Sequence, residues 1–222
     1  FVGSIIKSGA YHQDREELLI ELIKHFPIEI WSETRRITLR KYFQILLLRT
    51  LYDFYNLSKT NDVVKYLESN NKIVQKISKL RDRPSFRIFN NDKVLKRTHP
   101  PVYGIDMFQK LYESKITINY HASVSPKSAS NMRLFESTGI GTCLVTDWKE
   151  NLGELFCPNS EVITYKSKEE CIEKVHYLFE HEEERKLIAI SGQKRALSEH
   201  TIYHRAEQLD FIIREHMRKH AL

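Results

Sequence analysis

In the stretch "ASNMRLFESTGIGTCLVTDWKENLGELF", Ala129 to Phe156, Arg133 and Glu136 stand three positions apart, and an apolar run behind them ends in Asp147. Two chemistries fit the first pair. Residues about one turn apart on a helix can neutralise each other at its surface. Alternatively, Glu136 accepts hydrogen bonds from a ribose diol, as acids near the switch points of open α/β sheets do. The loop "HASVSPKSAS", His121 to Ser130, leads into this helix. Its small residues allow close backbone approach, and the free N–H groups around Ser130 and Asn131 attract an anion, most naturally a phosphate. Lys127 adds a point charge. An ordinary capped helix after a polar loop is the plain alternative, and His121 is either close to the phosphates or simply a polar strand end.

These residues need elements to position them. Short β-type runs alternate with amphipathic helical runs, the pattern of a parallel sheet covered by helices. "FVGSII" reads as the first strand, 14–25 as a helix and "IEIW", 28–31, as a second strand. The texture then changes. A basic and then apolar run over 35–56 and a second run over 60–79 predict two helices, so 34–98 reads as a helical insertion. Its apolar face packs on the domain or meets a partner or membrane surface.

Alternation resumes with a helix at 105–113, a strand at 116–120, the Asn131 helix, and strands at 142–146 and 161–165. Ser167 and Glu170 have capping-box spacing before another helix. Helices at 182–197 and 201–219 close the chain. The carboxyl ends of the strands, where open parallel sheets bind ligands, present Gly3 and Ser4, His121, and Thr146 with Asp147. Gly139 and Gly141 read as a helix C-cap and a tight entry into the next strand.

The 222 residues suit one large domain or two small ones, and the alternation of elements favours a single domain. A net charge of +6 favours anionic partners, with the basic residues read as spread along the chain. No segment is apolar enough over about 18 residues to span a bilayer. Three cysteines lack metal-ligand spacing, and their odd number argues against a full disulfide framework, which fits a reducing cytoplasm. Peripheral membrane attachment is the alternative location. The chain opens without Met or a signal-like region and reads as an excerpt of a longer protein.

Absences narrow the chemistry. No Asp-x-Asp triplet, zinc-binding His spacing, G-x-S-x-G elbow, Walker loop or G-x-G-x-x-G fingerprint occurs. Positive charge for a bound phosphate therefore comes from side chains and helix ends, without a metal or other cofactor. A nucleic-acid module built on the helices near Arg35 to Arg49 is disfavoured by their leucine-rich face and by the lack of interleaved aromatic and basic loops.

"NMRLFESTGIGTCLVTDWKENLGELF" and the later "EVITYKSKEECIEKVHYLFEHEEERKLIAISGQKRALSEHTIYHRA" resemble the C-terminal lobe of GT-B glycosyltransferases. The CgeB-type, glycosyl transferase group 1-like proteins are most similar. "FVGS" with His12 and Arg15, and "VYGIDMFQKLYESKITINYH", resemble the same group more loosely. The resemblance implies a Rossmann-like lobe that binds a nucleoside diphosphate sugar, with Glu136 on the ribose and the helix start on the diphosphate. Asp147 and Glu150 become candidates for the donor sugar, although Asp147 equally suits a helix cap. Lys7, His12 and Arg15 stand near the diphosphate contacts of the first strand. The resemblance also implies that an N-terminal lobe outside this chain holds the glycan, protein or lipid acceptor, so that this piece alone turns over little. Ser128 occupies the position of an earlier Glu in related retaining enzymes. A non-catalytic member with a decayed donor site is therefore the second expectation.

Overall fold

The computed structural model describes residues 1–5, 13–80, 82–84, 86, 89–121 and 125–220; Lys7 and His12 lie outside them. The first expected strand reduces to an isolated parallel bridge between Val2 and Trp31. Its backbone partners explain the change. The Gly3 N–H still donates to the Trp31 carbonyl at 3.2 Å. Beyond it, Arg15 takes the Ser4 carbonyl at 2.6 Å, and the Ile5 N–H turns to the Ser32 hydroxyl at 3.1 Å. Once side chains claim these groups, no ladder can continue through them.

Helix α1, Gln13–His25, buries Leu18, Leu19 and Leu22. Strand β1 is only Ile30–Trp31, shorter than expected. The helical segment begins with α2, Leu39–Ser58, whose N-cap Thr38 accepts from the Lys41 N–H. The single helix expected over 60–79 is two, α3, Asp62–Asn70, and α4, Lys72–Ser78. Asn71 divides them. It is extended, with φ −121° and ψ 117°, and its side chain accepts from the N–H groups of Ile73 and Val74. Asn favours this exchange of a helical conformation for a cap.

Helix α5, Asp92–Lys96, and strand β2, Thr98–His99, follow, and β2 pairs in parallel with β1. Asn90 pins this end of the segment to the body. Its buried amide donates to the Ile5 carbonyl and to Glu16 Oε1, both at 3.0 Å, and accepts the Arg35 N–H at 2.8 Å.

The second half runs through α6, Gly104–Tyr112; β3, Ile116–Asn119; α7, Arg133–Gly139; β4, Cys143–Asp147; α8, Leu152–Leu155; and β5, Ile163–Tyr165. It ends with α9, Lys168–Glu180; α10, Glu182–Glu199; and α11, Ile202–His220. Strands β3, β4 and β5 form a parallel sheet in that order, with Asn119 opposite Thr146 and Asp147 opposite Tyr165. All of β4 is buried, as a central parallel strand covered on both faces must be. Val145 faces a cluster with Leu18, Leu22, Val175 and Leu178, while Leu144 faces Leu134, Leu152 and Phe156. Alternate side chains thus serve opposite helical layers. The result is an α/β fold with parallel strands flanked by helices, although the described residues form two sheets instead of one continuous sheet.

Ser167 caps α9 as its spacing predicts, accepting the Glu170 N–H at 3.1 Å. Glu170 reaches the Lys166 N–H instead of closing the box on Ser167. Cys143 and Cys171 are buried thiols, each pushed up to about 12 chiefly by burial. Gly192 marks the tightest packing of α10. A Cβ there would lie 2.3 Å from the Glu161 carbonyl oxygen. We expect Gly192→Ala to cost about 1–3 kcal/mol by forcing α10 off the turn before β5, read as a lower urea midpoint at unchanged slope.

Candidate functional site

Arg15 spans the seam between the two sheets. Its guanidinium donates to the Ser4 carbonyl at 2.6 Å and to the Tyr120 carbonyl, just past β3, at 2.5 Å. Its buried Nε has no partner among the described residues. Burial lowers the Arg15 pKa, with Asp147 the leading opposing influence. The crevice beyond the strand ends is where open α/β sheets take ligands.

A cavity of about 260 Å³ opens on the first-sheet side of this seam. Gly3, Ser4, Glu33, Tyr103, Met107 and Arg133 are among its lining residues. Arg133 enters it from the first turn of α7. Its Nε donates to the Val2 carbonyl at 3.1 Å, and its Nη1 lies 2.9 Å from Glu136 Oε2. Their side chains are 16 % and 19 % exposed, so this pair is partly buried, unlike the free surface pair that the spacing also allowed. Burial lowers the Arg133 pKa and Glu136 opposes that shift. Glu136 itself is not among the residues lining the cavity.

Just before α7, Met132 occupies the N-cap without a side-chain cap bond. The N–H groups of Ser130, Asn131 and Met132 have no hydrogen-bond acceptor among the described residues. The Asn131 side chain exchanges hydrogen bonds with buried Asn119 at 2.7 and 3.3 Å, and Asn119 also donates to the Thr146 hydroxyl. This network ties the loop to β3 and β4. The Asn119 contribution had no local signal, because its partners are 12 and 27 positions away.

His121 and Asp147 come together on the other side of the seam. The His121 backbone N–H donates to Asp147 Oδ1 at 2.8 Å, and its ring Nδ1 is 2.7 Å from the same oxygen. Lys149 approaches Oδ2 at 3.1 Å. Burial disfavours the ionised Asp147 carboxyl, but the His121 hydrogen bonds and the Lys149 charge outweigh it and hold the pKa below its ordinary value. The ionised carboxylate only accepts, so Nδ1 carries a proton. The buried His121 Nε2 has no partner among the described residues.

Asp147, Trp148 and Lys149 line a second cavity, of about 570 Å³, with Tyr120, Tyr165 and Lys166. The Lys166 ammonium sits 5.0 Å from the Trp148 ring centroid. The sequence singled out Asp147 but not the Trp-Lys pair behind it. Lys127 and Glu150 are placed elsewhere. They pair with each other at 3.6 Å on the surface, with side chains 76 % and 57 % exposed.

The sequence model of a family described as "Glycosyl transferase-like" matches residues 68–210, more than half of the chain. This chain belongs to the glycosyl transferase-like family. The matched region contains β3, α7 and β4, and therefore Arg133, Glu136, His121 and Asp147. No curated protein matches the sequence. Among solved structures, Anabaena Alr3699/HepE in complex with UDP is similar at a TM-score of 0.47 and 10% identity, covering 68% of this chain and 37% of that one. A glycosyltransferase from Rickettsia africae ESF-5 is similar at a TM-score of 0.46 and 12% identity, covering 91% of this chain and 52% of that one. This glycosyl transferase-like chain thus spans about half or less of the length of these two structures.

Proposed function

We propose that this member of the glycosyl transferase-like family is the donor lobe of a GT-B enzyme of the CgeB-type branch. It transfers a sugar from a nucleoside diphosphate sugar to a glycan, protein or lipid acceptor held by a second lobe. One observation carries the reading: Arg133, partly buried and braced by the Val2 carbonyl and Glu136, lines a cavity with Gly3 and Ser4 beyond the strand ends. The diphosphate lies against Arg133 and the backbone amides of Ser130 and Asn131. Glu136 turns one carboxylate oxygen to Arg133 and the other to a ribose hydroxyl. Asp147 and Glu150 remain the candidates for the donor sugar.

As the glycosidic C–O bond breaks, negative charge grows on the leaving diphosphate. A fixed, partly buried guanidinium stabilises that charge more than it stabilises the ground state. The acceptor hydroxyl attacks the anomeric carbon and surrenders its proton to a base outside this lobe. Side chains and amides supply the positive charge, with no metal in the scheme. The lobe works in the cytoplasm, where nucleotide sugars are available.

A second reading is a non-catalytic member, favoured by Ser128 and by the engagement of Glu136 with Arg133 rather than with the cavity. Titrating uridine and guanosine diphosphates by calorimetry separates the two. Saturable binding of one of them, weakened about 10-fold or more by Glu136→Gln, supports the donor lobe, because a hydrogen bond to a charged group contributes about 1.5–3 kcal/mol. No binding by any nucleoside diphosphate supports the decayed site.

A further inference from the structure

Residues 34–98 hold 16 of the 35 Lys and Arg residues but only 5 of the 29 Asp and Glu residues. The segment therefore carries +11 (16 minus 5) and the remainder −5 (19 minus 24). The basic charge is concentrated here, which corrects the even spread read from the sequence.

Helix α2 inside this segment is apolar on two faces. Ile45 is buried, and α2 packs against α4. On the other side, Leu39, Phe43, Leu47, Phe54 and Leu57 are each at least 60 % exposed. Their spacing puts them on one stripe, about 27 Å long at the helical rise. Arg35, Arg36, Arg40 and Lys41 crowd its N-terminal end, all exposed.

We propose that this segment docks the protein on an anionic membrane surface. Helix α2 lies in the interfacial plane, its Leu and Phe stripe toward the acyl chains and its arginines among the headgroups. A lipid surface satisfies both properties of the segment at once, since interfacial helices combine an apolar face with basic residues that anionic headgroups attract. A nucleic acid would match the charge but leave the leucines without a partner. A second copy would match the apolar stripe but bring +11 against +11. No described helix is long and apolar enough to cross a membrane, so the attachment is peripheral. This inference stands apart from the donor-site reading.

Co-sedimentation of the intact chain with vesicles tests it. Vesicles of equal parts phosphatidylcholine and phosphatidylglycerol should bind the protein, and phosphatidylcholine alone should bind it at least about tenfold more weakly. The double variant Phe43→Glu/Leu47→Glu, and separately Arg36→Ala/Arg40→Ala, should each weaken anionic binding about tenfold while leaving thermal unfolding unchanged, because all four side chains are exposed. Equal binding to both vesicle types, or undiminished binding by either variant, overturns the proposal. So does a wild-type dimer that Phe43→Glu/Leu47→Glu splits in the absence of vesicle binding, or tight oligonucleotide binding with no affinity for vesicles.

Discussion

Arg133→Met should weaken binding of the preferred nucleoside diphosphate by about two orders of magnitude. Removing one member of a buried, hydrogen-bonded charge pair at an interface costs about 2–5 kcal/mol, equivalent to roughly 30- to several-thousand-fold in affinity. Met preserves much of the side-chain length and its contacts with Met107 and the cavity wall, so the loss falls mainly on charge. Glu136 complicates the readout, because it loses its partner 2.9 Å away. Arg133→Lys resolves this. It keeps a charge beside Glu136 but not the planar fork that could hold the Val2 carbonyl and a phosphate together, so affinity should fall about tenfold with little change in unfolding temperature. If both variants bind nucleotide as the wild type does, Arg133 belongs to the packing of α7 and the donor reading loses its main support.

The second large effect concerns stability. Asp147→Ala should lower the free energy of unfolding by about 3 kcal/mol or more. It leaves the backbone and ring N–H groups of buried His121 without their shared acceptor and removes the carboxylate partner of Lys149, which keeps only the Pro126 carbonyl. The pH dependence identifies the cause. The folded-state pKa of Asp147 is depressed, so the unfolded chain binds the proton more tightly. The stabilisation is therefore complete above the unfolded value of about 4 and is lost as pH falls through the folded value. Urea titrations from neutral pH downward should show the gap between wild type and Asp147→Ala closing below about pH 4. A gap that stays constant into acid would assign the loss to packing alone.

The long elements of this chain were legible because their signals are local. Strands β3 and β4 are set by apolar runs and fall within a residue of their expected ends. The Ser167 cap was visible because a cap acts over three residues. Strands β1 and β2, two residues each, have no period to read, and their pairing joins positions 68 apart, as in Ile30 with Thr98. Asn71 ends one helix and starts the next, a choice hidden inside a continuous apolar period.

The site divides along the same line. The pairing of Arg133 with Glu136 follows from spacing, whereas the meeting of His121 with Asp147 needs the parallel register that sets Asn119 opposite Thr146. Whether a pair one turn apart grips a ligand or only itself depends on the walls around it. Those walls come from Val2, Met107 and Tyr103, and no local pattern connects them.

A crystal structure of the chain soaked with the nucleoside diphosphate it binds would be the most direct measurement. The account requires the phosphates beside Arg133 and the Ser130–Asn131 amides, with the ribose at Glu136 and Gly3 and Ser4 close by. Phosphates seated instead among Lys149, Lys166 and Trp148, with Arg133 and Glu136 still locked on each other and touching no ligand, would contradict it.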